Sequence, residues 1–145
     1  MSLTLTDEDR TTLRTAAYGA VELMAAAGAT GSPHRIAAAG SIALASATGP
    51  VGHVLAAKGK GVALHGTSVA ELADQVLPAL TAAMALLDRQ DPAEADNFRD
   101  TVLLALEAGR VHEARPAPVL ADIARRITAA LGAVGPAGRD SSPVG

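Results

Sequence analysis

The stretch of sequence that decides the fold is IAAAGSIALASATGPVGHVLAA, residues 36–57. It contains no Asp, Glu, Lys or Arg, and most of its residues are Ala, Gly, Ser or Thr. Small side chains let a neighbouring backbone come close, and a helix without a charged face is typical of a protein interior. The composition therefore predicts an Ala/Gly-rich helix at the centre of a helical protein.

A membrane span is the competing interpretation of residues 36–57, because a helix of that length could cross about 30 Å of hydrocarbon. Ala, Gly and Ser gain little in lipid, however, and the dipeptide Gly49-Pro50 interrupts the helical hydrogen bonds while His53 adds a polar group. Residues 1–4 lack the basic and apolar regions of a secretory signal. We therefore expect a cytoplasmic protein with no membrane partner.

Composition excludes several other classes. The 145 residues suit one domain, and the only aromatic residues are Tyr18 and Phe98, so the core must be aliphatic. The formal net charge is -3 and no run of Lys or Arg occurs, which argues against a nucleic-acid partner because phosphates are bound by clustered cations. The absence of Cys excludes disulfides, a thiolate nucleophile and a cysteine zinc site.

Capping residues and apolar spacing predict an all-α bundle of five or six mostly antiparallel helices over residues 1–134, with a flexible tail over 135–145. No segment alternates convincingly between apolar and polar residues as a half-buried strand would. The fourth helix keeps its apolar phase through Pro78, which predicts a kinked but continuous helix. The predicted helices cover 7–27, 33–48 and 51–58, followed by one capped by Ser68, one capped by Asp91 and one after Pro118. Thr6, with Asp9 three residues later, is the predicted cap of the first helix.

Motifs for catalysis or cofactor binding are missing from the sequence. His112-Glu113 lacks the second histidine of HExxH, and no two histidines stand four residues apart. The glycine-rich residues 49–66 fit neither phosphate-binding motif, GxxxxGK[ST] or GxGxxG. We therefore expect no metal and no cofactor, and the sequence leaves open whether the protein is an enzyme.

Two groups of residues could bind a small anion. In the first, two lysines and two histidines surround a glycine-rich connection, where backbone N–H groups and ammonium groups favour an anion and a histidine could transfer a proton. In the second, an imidazole and a guanidinium follow the N-terminus of the second helix. The alternative is that these residues only cap helices or lie on the surface. The first group is His53, Lys58, Lys60 and His65, and the second is His34 and Arg35.

Arg14, Tyr18 and Glu22 follow one another at four-residue intervals on the first helix. At this spacing the guanidinium can lie over the aromatic ring, in a cation–π contact worth up to about 1 kcal/mol. We interpret the three residues as a stabilising surface group rather than as a site.

Charge placement favours self-association. The fourth helix has no charged residue over 76–87 and the fifth has none over 101–106, so their apolar faces exceed what one small bundle can cover. We expect a homodimer through helices 4 and 5 that buries about 800 Å² per subunit. A ligand pocket between helices, with residues 53–65 at its mouth, is the alternative use of these faces. The residues expected at the dimer contact are Thr81, Ala82, Ala85, Leu86, Leu103 and Leu104.

Overall fold

The computed structural model describes residues 4–28, 33–56, 68–110 and 118–132, and within these ranges all regular secondary structure is helical. The prediction of an all-α bundle is confirmed, because the six helices pack against one another around one core. They are α1 (Asp7–Ala27), α2 (Pro33–Ala45), α3 (Gly49–Ala56), α4 (Val69–Gln90), α5 (Pro92–Arg110) and α6 (Pro118–Gly132).

The central helix is α1, and the prediction that the second helix occupies the centre is wrong. α1 contacts each of the other five helices, whereas α2 contacts α1, α3 and α5. The buried residues of α2 form one narrow stripe, Ile36, Gly40 and Leu44, and Ile42 on the opposite side is 70% exposed. An uncharged face of Ala and Ser tolerates water, so the absence of charge did not require burial on all sides.

The chain reverses between α2 and α3. Ser46 N–H donates to the carbonyl oxygens of Ile42 and Ala43, and α2 ends at Ala45, three residues earlier than predicted. Gly49 then adopts a φ of 77°, a left-handed conformation that glycine accepts without strain, and α3 begins there. The third helix was predicted over 51–58, so it starts two residues earlier; its predicted end lies outside the described residues.

Side chains cap the long helices as the sequence predicts. Thr6 Oγ1 accepts from Asp9 N–H and the Asp9 carboxylate accepts from Thr6 N–H, which closes a reciprocal box at the start of α1. Ser68 and Glu71 form the same box at the start of α4. The Asp91 side chain accepts from Ala93 N–H, so α5 begins directly after α4 and the two helices form a hairpin.

Helix α4 continues through Pro78, as predicted. It is also the one helix of the described residues that is long and apolar enough to cross a membrane, by length and composition alone. Its apolar face, which includes Leu80, Met84 and Leu87, is buried in the core of the bundle. A core helix passes the same length and hydropathy test, so the result does not distinguish the two roles.

Pro78→Ala is expected to raise the free energy of unfolding by about 1–3 kcal/mol. Alanine restores a backbone N–H opposite the carbonyl of Asp74, and proline within a helix costs about 3 kcal/mol relative to alanine. The gain is smaller where the rest of the bundle packs well against the bent helix. Pro78 is exposed, so the substitution removes little packing. Urea denaturation followed by circular dichroism measures the change, and an unchanged or lower midpoint would show that the bundle requires the proline bend.

Candidate functional site

The structure describes two of the six predicted ligand-binding side chains. His53 lies exposed in the last turn of α3, and Arg35 lies exposed in the first turn of α2. No hydrogen bond or ion pair joins these two residues in the described part of the chain. The side chain of His34 lies outside the described residues, as do Lys58, Lys60 and His65. The predicted anion site around His53 therefore stays a prediction.

The start of α3 is held by two side chains of α5. Val51 N–H donates to Oε1 of Glu94 over 3.1 Å, and Nδ2 of Asn97 donates to the carbonyl oxygen of Thr48 over 2.9 Å. A negative group here complements the positive end of the helix dipole. The Glu94 carboxylate thus occupies the position at the helix N-terminus where an anionic ligand would otherwise bind.

The end of α3 is held by two side chains of α1. The hydroxyl of Tyr18 donates to the carbonyl oxygen of Leu55 over 2.6 Å, and Nη1 of Arg14 donates to the carbonyl oxygen of Val54 over 3.5 Å. The last carbonyls of a helix have no partner within it, so these donors cap the helix. From the sequence, we expect Arg14 and Tyr18 to contact each other at the surface. In the structure, both side chains donate hydrogen bonds to backbone carbonyls of α3.

Arginine caps a second helix in the same way. Nε of Arg99, on α5, donates to the carbonyl oxygen of Leu131 near the end of α6 over 3.5 Å, and its Nη1 pairs with Asp96. Nη2 of Arg99 and Nε of Arg14 are buried without a hydrogen-bond partner. Both guanidinium groups are therefore used for packing and capping between helices, which is a structural role.

Ionisation of Tyr18 is expected to weaken the attachment of α3. Burial raises the pKa of Tyr18 above its ordinary value of 10.0, against the opposing effect of the Arg14 charge. Since the folded pKa is the higher one, the contribution is complete below pH 10 and is lost as the pH rises through the raised pKa. The chain has a single tyrosine, so ultraviolet absorbance reports its ionisation alone.

Tyr18→Phe removes the hydroxyl and is expected to cost about 1 kcal/mol at neutral pH. The variant should also lose less stability than the parent above pH 10, where Tyr18 ionises. Protein unfolded in urea is the control for the titration. An apparent pKa at or below that of the unfolded protein would contradict the buried hydroxyl seen here.

A shallow groove of about 490 Å³ runs along α6. It is open to solvent, and its charged lining residue, Arg125, already pairs with Asp122. A ligand site normally combines an enclosed apolar volume with several converging polar groups, which this groove lacks. Its described lining residues are Ala121, Ala124, Arg125, Thr128 and Ala129.

The described ranges hold no group of three or more His, Asp or Glu side chains placed to bind a metal ion. Comparison of the chain with protein-family models, with curated proteins and with solved structures finds no match. A proposal for function therefore rests on the packing and the surface of the bundle.

Proposed function

We propose that this protein is a small helical interaction module that self-associates as a homodimer. The observation that carries the proposal is Leu104, which lies on α5 and is 58% exposed, within the uncharged residues 101–106. Among the residues that the structure describes, two further large apolar side chains are more than half exposed, Ile42 at 70% and Val119 at 53%. Exposed leucine and isoleucine gain about 25 cal/mol per Å² when a partner covers them.

The surface of α4 contributes less to such a contact than the sequence suggests. Leu86 was expected at the dimer contact but is 8% exposed, because it packs within the bundle. Ala82 is exposed, and Thr81 and Ala85 are half-buried. Of the expected contact residues, those of α4 that remain at the surface are therefore small, and the large exposed side chain is Leu104 of α5.

A binding site for a small anion is the alternative function. At the start of α3, Val51 N–H already donates to the Glu94 carboxylate, which weakens the case for an anion site at this end of the helix. The other end of α3, near His53, presents the carbonyl oxygens of Val54 and Leu55, which already accept from Arg14 and Tyr18 and do not attract an anion. The observations therefore favour self-association over ligand binding.

Leu104→Glu is expected to convert the dimer into a monomer. The substitution places a charge against an apolar partner surface, and desolvation of that charge opposes association. Light scattering and analytical ultracentrifugation at micromolar concentration measure the mass. Ala121→Glu is the matched control, because it puts the same charge on the exposed side of α6.

A monomeric parent protein at these concentrations would contradict the proposal. The same sample should then be melted with and without inorganic phosphate and small carboxylates. A ligand at one hundred times its Kd stabilises the native state by about 2.7 kcal/mol. A rise in melting temperature that Arg35→Ala or His53→Ala abolishes would establish the anion-binding alternative.

A further inference from the structure

We infer that the dimer forms where the outer face of α2 in one subunit meets the outer face of α5 in a second copy of the chain. The inference rests on the proposed self-association and identifies its surface. The sequence predicts a dimer contact through α4 and α5, whereas the contact inferred from the structure uses α2 and α5. The α2–α5 face consists of Ala38, Ile42 and Ala45 on α2 and Leu104 on α5, and all four residues are exposed.

Packing contacts place Ile42 and Leu104 at the same level of the bundle. A Cβ atom at Gly109 would lie 3.0 Å from Cγ2 of Ile36, near the start of α2. At the other end, Nδ2 of Asn97 donates to the carbonyl oxygen of Thr48. The two helices are therefore antiparallel neighbours, and Ile42, six residues after Ile36, lies level with Leu103, six residues before Gly109 and adjacent to Leu104.

Leu104 lies on the exposed side of α5, at the edge next to α2. Residues three and seven positions apart share one side of a helix, so Leu104 lies in line with Thr101 and Asn97. Asn97 reaches Thr48, in the connection that follows α2, which fixes the direction of that edge. Leu103 points away from it and packs against the core. The exposed leucine therefore adjoins α2 rather than α4.

The outer face of α2 is apolar over its whole length after the first turn. Ala38, Ile42 and Ala45 are spaced by four and three residues and form one exposed stripe. The acidic and basic residues of α2 are confined to its first turn, where His34 and Arg35 lie. The two alanines leave room beside Ile42, so a partner helix can approach closely around it.

Charge selects a second copy in one orientation as the occupant. Asp100 and Glu107 lie exposed one turn on either side of Leu104, so packing α5 against α5 of a second copy would bring carboxylates together. Packing α5 against the uncharged stripe of α2 avoids this. A twofold axis parallel to the helices makes that contact twice and brings Glu107 within one turn of Arg35 of the other copy.

Substitutions on three helices test the inference. Ile42→Glu is expected to raise the dissociation constant of the dimer by about tenfold or more. Ala82→Arg on α4 and Ala121→Glu on α6 are expected to leave it unchanged. Ile42→Gln is a second variant without charge, and it should weaken the dimer less. Circular dichroism and melting temperature verify that each variant folds, and ultracentrifugation over a concentration series gives the constants.

Charge reversal tests the orientation. Arg35→Glu and Glu107→Arg should each weaken the dimer, and the double variant should restore it, because the pair is reversed but still complementary. Failure of the double variant to recover would overturn the twofold arrangement. A dimer split by Ala82→Arg but not by Ile42→Glu would overturn the inference while the proposed self-association stands. A monomeric parent would overturn both.

Discussion

Gly40→Leu is expected to lower the free energy of unfolding by about 1–3 kcal/mol or more. Gly40 is buried where α2 crosses α1, and a Cβ atom there would lie 2.8 Å from Cγ2 and 2.9 Å from Cγ1 of Val21. Since Val21 is 3% exposed, its methyl groups have no open space into which to move. Leucine adds three further carbon atoms beyond that Cβ, so the two helices must separate. Thermal or urea denaturation measures the loss.

Two variants separate crowding from other effects at this position. Ala121→Leu adds a leucine to an exposed position of α6, outside the α2–α5 face, and should change stability by less than about 0.5 kcal/mol. Val21→Ala removes the methyl groups that a side chain at residue 40 would meet, so in combination it should recover part of the loss. A Gly40→Leu protein that melts like the parent would show that α1 and α2 do not pack closely here.

The helix boundaries that could be predicted are those fixed within a few residues of sequence. Thr6 with Asp9, and Ser68 with Glu71, close their hydrogen bonds over three residues, so the sequence alone specifies them. The end of α2 was placed too late because Ser46 and Gly49 act through backbone conformation, which the flanking alanines do not reveal. The sequence therefore identified the capping hydrogen bonds but not the backbone conformation that turns the chain between α2 and α3.

The attachment of α3 could not be predicted, because its partners are distant in sequence. Glu94 lies 43 residues from Val51, and Tyr18 lies 37 residues from Leu55. Nothing in the periodicity of α1 or α5 shows which helix end these side chains reach. A Tyr and an Arg among small alanines on α1 were the available signal, and it indicated only that the two residues share a side.

The exposed apolar side chains lie in different positions from those that the sequence predicted. Absence of charge along a helix indicates that some side is covered, but it does not say which side. Leu86 and Ile42 both occupy uncharged stretches, yet Leu86 is 8% and Ile42 is 70% exposed. The difference arises from which of the described helices each one meets, since α4 contacts α1, α5 and α6, whereas α2 contacts α1, α3 and α5 on the sides away from Ile42.

Gly52→Ala is expected to destabilise the protein by about 2–4 kcal/mol, although helix propensity alone would favour alanine by about 1 kcal/mol. Gly52 is buried in α3, and a Cβ atom there would collide with the backbone carbonyl group of Ala47. The backbone of Ala47 cannot be shortened by substitution as the Val21 side chain can, so the reversal between α2 and α3 must move. That movement would break the hydrogen bond from Asn97 to Thr48.

Hydrogen exchange distinguishes this local effect from general instability. In Gly52→Ala the amides of α3 should exchange faster than those of α1, because α3 loses its attachment to α5 before the core opens. Gly132→Ala is the matched control, since a Cβ atom at Gly132 meets nothing within 4 Å, and it should leave stability unchanged or slightly raised. Equal effects of the two substitutions would show that the reversal does not press against Gly52. A larger loss of stability at Gly52 that no side-chain truncation relieves would identify contact with the backbone as the cause. Gly40 differs in this respect, because its crowding comes from the Val21 side chain.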